Sequence, residues 1–233
     1  MLNELTAIIL CGGRGERLRP LTEKVPKPLI PVRGQPILQH ILDHLCRYGI
    51  NKSVLCIGYK ASMLRSYAAN RHATGCRIEC IDSGDVSMND RVLDTLAVAS
   101  GPVLICYGDT LANVDLHELE ASHRRAGSLA TVTVFPLRSP FGIVDIADGD
   151  VVVRMTEKPV LPYWINIGYI RCDREAFKHM KRGSDLVQFC SAVAATGSLS
   201  AYRHTGQHMT VNTEDDLPAA EKEILSFATA VTR

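Results

Sequence analysis

Five apolar runs recur along residues 5–135: "LTAIIL" (5–10), "SVLCIG" (53–58), "RIECI" (77–81), "PVLICY" (102–107) and "LATVTVF" (129–135). Helix-period stretches lie between them. In 35–47, "QPILQHILDHLCR", the apolar positions Ile37, Leu38, Ile41, Leu42, Leu45 and Cys46 repeat every 3.6 residues. The pattern also predicts helices over 61–69, 90–99 and 115–126, the last with Asp115 and Glu118 at capping-box spacing. Strands alternating with helices imply a parallel α/β sheet with right-handed crossovers.

The rhythm changes after residue 135. "FGIVDIADGDVVVRM" (141–155) reads as a hairpin turning at Asp148-Gly149-Asp150, and "WINIGYIRC" (164–172) as a further strand. Helices are expected near 173–180 and 185–195, a strand near 198–203, and a last helix from about 214. No long linker or repeat interrupts the chain. The expectation is therefore one domain over 1–233, with 1–135 as its principal α/β part and a β-rich lobe within 136–233.

A chain of 233 residues can hide roughly three quarters of its unfolded surface without staples. Lys+Arg total 26 and Asp+Glu 25, a net charge of +1, which argues against coating nucleic acid or a membrane surface. Any anion site must be local. "MLNELTAIIL" lacks the basic start of a signal peptide, and no apolar stretch reaches a membrane span, so a cytoplasmic protein is expected. The eight cysteines are scattered without a C-x-x-C and read as buried small hydrophobes or free thiols. His40 and His44 sit off the apolar stripe and read as solvated. His204 and His208, with Gly206 between, do not suggest a zinc pair either.

Directly after the first strand comes "CGGRGERLRPLTEKVPKPLIPV" (11–32), holding three glycines, five Lys/Arg, two acids and four prolines. Glycines at the carboxyl end of a strand let backbone N–H groups approach an anion. A dinucleotide fingerprint needs a glycine where Leu18 stands, and a P-loop needs a Gly-Lys pair that the chain lacks. The prolines argue against a long helix and for an extended basic loop able to wrap a triphosphate.

"GGRGERLRPLTEKVPKPL" resembles the G-G-x-G-x-R-L…K-P-L signature of sugar-phosphate nucleotidylyltransferases, and the similarity runs over roughly residues 5 to 220. The resemblance implies the nucleotide-diphospho-sugar transferase fold, with a Rossmann-like parallel or mixed central sheet and a smaller sugar-binding lobe. It implies the reaction of an NTP with a sugar 1-phosphate to give an NDP-sugar and pyrophosphate. On that resemblance Arg17, Lys27 and Lys158 are the catalytic cations, the first two on the triphosphate and the last on the sugar phosphate. Leu10, Gly12, Gly13 and Gly15 line the nucleotide, and Ser87 and Asn89 fall in the stretch that reads the base. Gly142, Glu157 ("EKP", 157–159), Asn166 and Gly168 ("INIGY") form the sugar pocket. Asp109, in "CYGD", is the Mg²⁺ carboxylate, a role that suits a hard cation held largely by phosphate oxygens. The implied partners are these small molecules, with no nucleic acid or membrane; homo-oligomerisation stays open.

One departure stands out. Where the family carries a second metal-binding aspartate, "HMTVNTEDDL" places Asn212, with Asp215 and Asp216 as candidate substitutes or first-turn residues of the last helix. The stretch "DSGDVSMNDRVLDTL" (82–96), "YGDTLANVDL" and "WINIGY" are similar to segments of glucose-1-phosphate cytidylyltransferases, although Asn89-Asp90 replaces paired glycines and Thr110 a third. CTP with glucose 1-phosphate is thus the expected pair. A heptose- or mannose-1-phosphate guanylyltransferase is the alternative, and a non-catalytic nucleotide-sugar-binding subunit the alternative of another class.

Overall fold

In the computed structural model, residues 2–70 and 76–227 are described. Strand β1 (Thr6–Leu10) leads into the opening loop. That loop is compacted rather than extended. It folds into 3-10 turns at Glu16–Leu18 and Lys27–Leu29, the four-residue helix α1 (Leu21–Lys24), and a small ladder of β2 (Pro31–Val32) with β3 (Gln35–Pro36). The prolines do not prevent this because Pro20 and Pro28 fall at or near the first position of a turn, where no N–H partner is needed.

Helix α2 (Ile37–Arg47), β4 (Lys52–Ile57), α3 (Ala61–Asn70), β5 (Arg77–Asp82), α4 (Met88–Thr95) and β6 (Val103–Tyr107) continue the alternation. The short β7 (Thr110–Ala112), α5 (Leu116–Ala126) and β8 (Ala130–Arg138) follow. Helix α4 starts two residues earlier than its apolar pattern suggests, because Ser87 caps it, and it ends at Thr95 instead of 99. Asp115 caps α5 by accepting from the His117 and Glu118 N–H groups. The second half holds the hairpin β9 (Ile143–Ala147) and β10 (Val151–Thr156), the long β11 (Val160–Cys172), α6 (Leu186–Ala194), β12 (Leu199–Arg203), β13 (His208–Thr210) and α7 (Asp216–Phe227). The helix expected near 173–180 is a 3-10 segment, Arg174–His179.

Seven strands form one sheet in the order β12-β8-β11-β6-β1-β4-β5. Neighbours β6, β1, β4 and β5 are parallel, and β12 is parallel to β8. Strand β11 runs against both β6 and β8, so the sheet is mixed. The reversal has a simple cause: β8 and β11 are joined through the hairpin and not through a crossover helix. Both sheet faces are covered, so alternate residues enter two cores. Ala7 and Ile9 of β1 pack with Leu38, Ile41 and Leu45 of α2, whereas Ile8 packs with Val92 of α4 and Phe189 of α6. Burying each large aliphatic of the α2 stripe contributes about 2 kcal/mol.

Two expectations fail in this layer. His44 is 2% exposed, with its Nε2 hydrogen donated to the Val114 carbonyl at 3.0 Å. Burial pulls its pKa down to about 4. Cys46 and Cys76 are joined in a disulfide; the other six cysteines are free. Both errors involve partners on segments that the local pattern of α2 does not reveal.

The hairpin stands apart as its own two-stranded sheet. Its register puts Val144, Ile146, Val152 and Met155, all exposed, on one face, while Asp145 and Arg154 pair at 2.6 Å on the other. Gly142 precedes it and Glu157-Lys158 follows it.

Candidate active site

A cleft of about 680 Å³ opens where β1 and β6 end side by side. Its floor is Leu10 to Gly13 together with Tyr107, Gly108 and Asp109; one wall is the basic loop and the other is Asp85, Val86, Met88 and Arg91. This is the carboxyl edge of the parallel strands, where order reverses on either side of β1, the place at which open α/β sheets take ligands. Main-chain bonds fix the floor: Gly108 N–H donates to the Leu10 carbonyl at 3.1 Å, and Cys11 N–H to that of Cys56 at 2.9 Å.

The basic loop presents cations in two different states. Arg17 lies exposed on the cleft wall, held by buried Leu18 behind it, and makes no ion pair among the described residues. Arg14 reaches across the mouth to Asp85 at 2.7 Å, and that hydrogen bond lowers the Asp85 carboxyl pKa. Gly13 lines the cleft with open space around it, leaving its backbone accessible. Gly15 is in the left-handed region at φ +62°, and a Cβ there would sit 3.0 Å from Thr22 and 3.2 Å from Lys27 Cβ. Glycine here packs the turn directly onto the lysine stem.

Lys27 is only 8% exposed. Its Nζ donates to Asp109 Oδ2 at 2.6 Å and to Asn212 Oδ1 at 3.3 Å. Residues from three distant parts of the chain therefore meet at one ammonium. The short pairing of β7 with β13 brings the third of them in, because it lays 208–210 against 110–112 just before Asn212. Asp216 turns its carboxylate to the main chain. Its Oδ2 accepts the N–H groups of Asn212 and Thr213, each at 2.8 Å. Desolvation pushes its pKa up, but those N–H groups outweigh it and the net shift is downward. No cluster of three or more His, Cys, Asp or Glu suited to a metal occurs among the described residues. An aspartate and an amide oxygen gathered round one cation suit a Mg²⁺ that takes its remaining ligands from phosphates.

Arg91 is the functional candidate that the sequence reading missed. It is 6% exposed, lines the cleft, and donates from Nη1 to the Ile57 carbonyl at 3.2 Å. No carboxylate forms an ion pair with it among the described residues. Gly12 and Gly58 form its slot: a Cβ on either would lie 1.8 or 2.2 Å from Nη1. Gly12 thus serves the guanidinium as well as the floor. The signal was the Arg in "MNDR", but its significance depends on two glycines far away in sequence.

Two proposed base contacts must be corrected. The Ser87 hydroxyl is occupied by Asp90, donating to its carboxylate at 2.6 Å and accepting its N–H at 3.1 Å. Asn89 is fully buried and faces the other way, donating to Ser184 Oγ at 2.7 Å and the Asp185 carbonyl at 2.9 Å. The cleft residues Met88 and Arg91 lie three apart on one face of α4, and Asn89, next after Met88, points away from that face and holds α4 to 184–185.

The residues assigned to the sugar lie outside the cleft walls. Gly142 sits beside the Glu157 carboxylate, 3.1 Å from a Cβ built on it, and Glu157 and Lys158 are both exposed at the base of the hairpin. Lys158 has φ +45°, a left-handed conformation uncommon for a lysine. Asn166 donates to the Tyr107 hydroxyl at 3.3 Å and accepts the Gly168 N–H at 2.9 Å. Tyr107, a cleft residue, therefore joins the cleft floor to β11.

The chain belongs to the nucleotidyl transferase family, whose profile matches residues 6–185. It is a nucleotidyltransferase with the nucleotide-diphospho-sugar transferase fold. It is 29% identical over 243 residues to a Bacillus subtilis protein named "Probable glucose-1-phosphate cytidylyltransferase", covering 94% of this chain and 95% of that one. It is 28% identical over 156 residues to the D-glycero-alpha-D-manno-heptose 1-phosphate guanylyltransferase of Campylobacter jejuni, covering 66% and 69%. In structure it is similar to a Bacillus anthracis chain crystallised with sucrose, with TM-score 0.77, 21% identity and 94% of each chain covered. No helix among the described residues is long and apolar enough to cross a membrane.

Proposed function

We infer that the protein transfers a cytidylyl group from CTP to a sugar 1-phosphate, glucose 1-phosphate being favoured, and releases pyrophosphate. The observation that carries the base preference is Arg91. A nearly buried guanidinium without a carboxylate is costly unless a ligand completes it. Its fork donates two parallel hydrogen bonds, which suits two adjacent acceptors. Cytosine offers O2 and N3 in this arrangement, whereas uracil and thymine carry a hydrogen on N3. The Bacillus subtilis relative, aligned over nearly its whole length, supports the same base.

Chemistry follows from charge placement. A sugar-phosphate oxygen attacks the α-phosphorus, the bond from that phosphorus to the bridging oxygen breaks, and pyrophosphate leaves. The nucleophile is already anionic, so alignment and charge neutralisation are the main tasks. In this reading Arg17 and Lys27 neutralise the β- and γ-phosphates, with Gly13 and the rest of the loop backbone along them. Lys158 holds the sugar phosphate, while Glu157, Asn166 and the Gly142 and Gly168 backbone face the sugar. Asp109 and Asn212 would hold a Mg²⁺, which supplies Lewis-acid neutralisation of phosphate charge when bound.

Guanine is the second reading, since O6 and N7 also form an acceptor pair for arginine, and the Campylobacter jejuni relative is named for guanylyl transfer. Calorimetric titration of CTP, GTP, UTP, dTTP and ATP tests the base. CTP should bind at least about tenfold more tightly than UTP, from the loss of one charge-assisted bond. Equal affinities for CTP and UTP would remove Arg91 as the reader.

A further inference from the structure

The β9–β10 hairpin is the part of the molecule that its own fold leaves uncovered. Of the fifteen large apolar side chains exposed among the described residues, eleven fall within 141–164. That concentration sets them apart from the single hydrophobics scattered over an ordinary surface. Together they expose on the order of 1,000 Å² of surface, where a monomer commonly leaves a few hundred in one patch. Among the described residues the hairpin pairs with no third strand, and a lone two-stranded ribbon is marginal in water unless something packs on it. Its register gathers Val144, Ile146, Val152 and Met155 on one face, and alternation carries that face down to Gly142 and Glu157 at the base.

Charge and area decide what covers it. The hairpin carries Asp145, Asp148 and Asp150 against Arg154, so an anionic lipid surface is repelled. Asp145 and Arg154 pair with each other, which leaves Asp148 and Asp150 as an acidic tip. The base is net basic, with Arg138 and Lys158 against Glu157; Arg138 Nη1 donates to the Lys158 carbonyl at 3.4 Å, and all three side chains are exposed. An acidic tip and a basic base at opposite ends of strands of five and six residues are complementary to a second hairpin laid antiparallel on the first. A stable dimer takes about 800 Å² from each partner, which the exposed side chains of 141–164 can supply. A twofold axis lets one patch serve both copies.

We propose that the β9–β10 hairpin is a dimerisation arm. Two copies of this chain clasp antiparallel about a twofold axis, apolar face on apolar face, with each acidic tip beside Arg138 of the other copy. The clasp itself needs nothing from the reading of the cleft. Its consequence rests on that reading: Glu157 and Lys158, the acceptor contacts proposed above, stand at the base of the arm, so the clasp holds them in place and the acceptor side of the site is complete only in the dimer.

Sedimentation velocity on the full chain without substrates reads the pairing, and wild type should sediment as a dimer throughout the micromolar range. Ile146→Lys combined with Met155→Lys gathers four ammonium groups in the clasp and should weaken dimerisation at least about a hundredfold. Val187→Lys, at an exposed position of α6, should leave it unchanged. Asp148→Arg should weaken it at least about tenfold, and Arg138→Asp in the same chain should recover most of that loss, because tip and base exchange signs. Circular dichroism verifies that each variant is folded. In steady-state kinetics the double-lysine variant should raise KM for glucose 1-phosphate at least about tenfold while calorimetry shows CTP binding unchanged. A monomeric wild type, whether or not it binds phosphatidylcholine or phosphatidylglycerol vesicles, would overturn the proposal, as would a dimer that survives the two lysines. Loss of the dimer with KM unchanged would overturn its link to the acceptor. No turnover with any sugar 1-phosphate, while the dimer and its variants behave as expected, would refute the reading of the site and leave the arm established.

Discussion

Replacing Arg91 by methionine separates function from stability in a way few other substitutions here can. If the guanidinium reads the base with two charge-assisted hydrogen bonds, each contributing about 1.5–3 kcal/mol, their loss amounts to about 3–6 kcal/mol. At 1.36 kcal/mol per tenfold, kcat/KM for CTP should fall by roughly 10²–10⁴. Stability should move differently. Arg91 is 6% exposed and keeps one hydrogen bond, to the Ile57 carbonyl. Removing it forfeits that bond but also relieves the desolvation penalty of a buried charge with no ion-pair partner, on the order of several kcal/mol per ion, which should offset the lost bond. For a chain of this size, each kcal/mol moves Tm by about 2–4 °C. Steady-state kinetics with CTP and UTP, alongside thermal unfolding, give both quantities. The expected result is a large loss for CTP, a collapsed preference over UTP, and a Tm equal to or above wild type. A Tm that drops steeply while kcat/KM for CTP is retained would show Arg91 to be a structural strut between Gly12 and Gly58, and the base reading would be refuted.

Other outcomes follow from the same geometry. Lys158→Ala, altering an exposed side chain, should raise KM for the sugar 1-phosphate at least about tenfold with Tm unchanged, whereas Arg17→Ala should chiefly lower kcat. The reverse split in steady-state kinetics would exchange their roles. Burial lowers His44 to a pKa of about 4, below its ordinary 6.5, so its contribution is complete above pH 6.5 and is lost as pH falls towards 4. Over that window it should remove about 3 kcal/mol, and urea unfolding at pH 7 and 4.5 should show a shallower loss in His44→Gln. Arg171, buried between Glu120 at 2.7 Å and Asp173 at 2.8 Å, should cost about 3–5 kcal/mol when replaced by leucine alone. Pairing it with Glu120→Leu should recover much of that in the same unfolding assay.

Where apolar spacing dictates structure, the sequence was an adequate guide. The alternating runs of β1, β4, β6 and β8 and the stripe of α2 each follow one period, and the structure keeps them. The reversed β11 was not legible, because direction depends on how the hairpin lobe joins two strands. The β7–β13 pairing was missed as well: three residues on each side carry too little pattern, yet that pairing brings Asn212 to Lys27. Glycines and cations around residue 15 marked a segment that the structure places on the cleft wall, though not the turns that compact it. Asn89, His44 and Arg91 fail for a shared reason. Their surroundings come from 184–185, Val114, and the Gly12/Gly58 pair, each remote in sequence. The resemblance marked Asn89 as a contact and its place off the apolar stripe marked His44 as solvated, and tertiary packing decided otherwise.

Pyrophosphate release with Mg²⁺, with CTP, GTP, UTP, ATP and dTTP each tested against glucose, mannose and heptose 1-phosphates, examines the central claim most directly. Turnover is expected with CTP and glucose 1-phosphate, with mass spectrometry identifying CDP-glucose as the product. Turnover confined to a GTP combination would move the assignment to guanylyl transfer. Silence in every combination, with nucleotide binding intact, would contradict the claim that a sugar 1-phosphate is the acceptor.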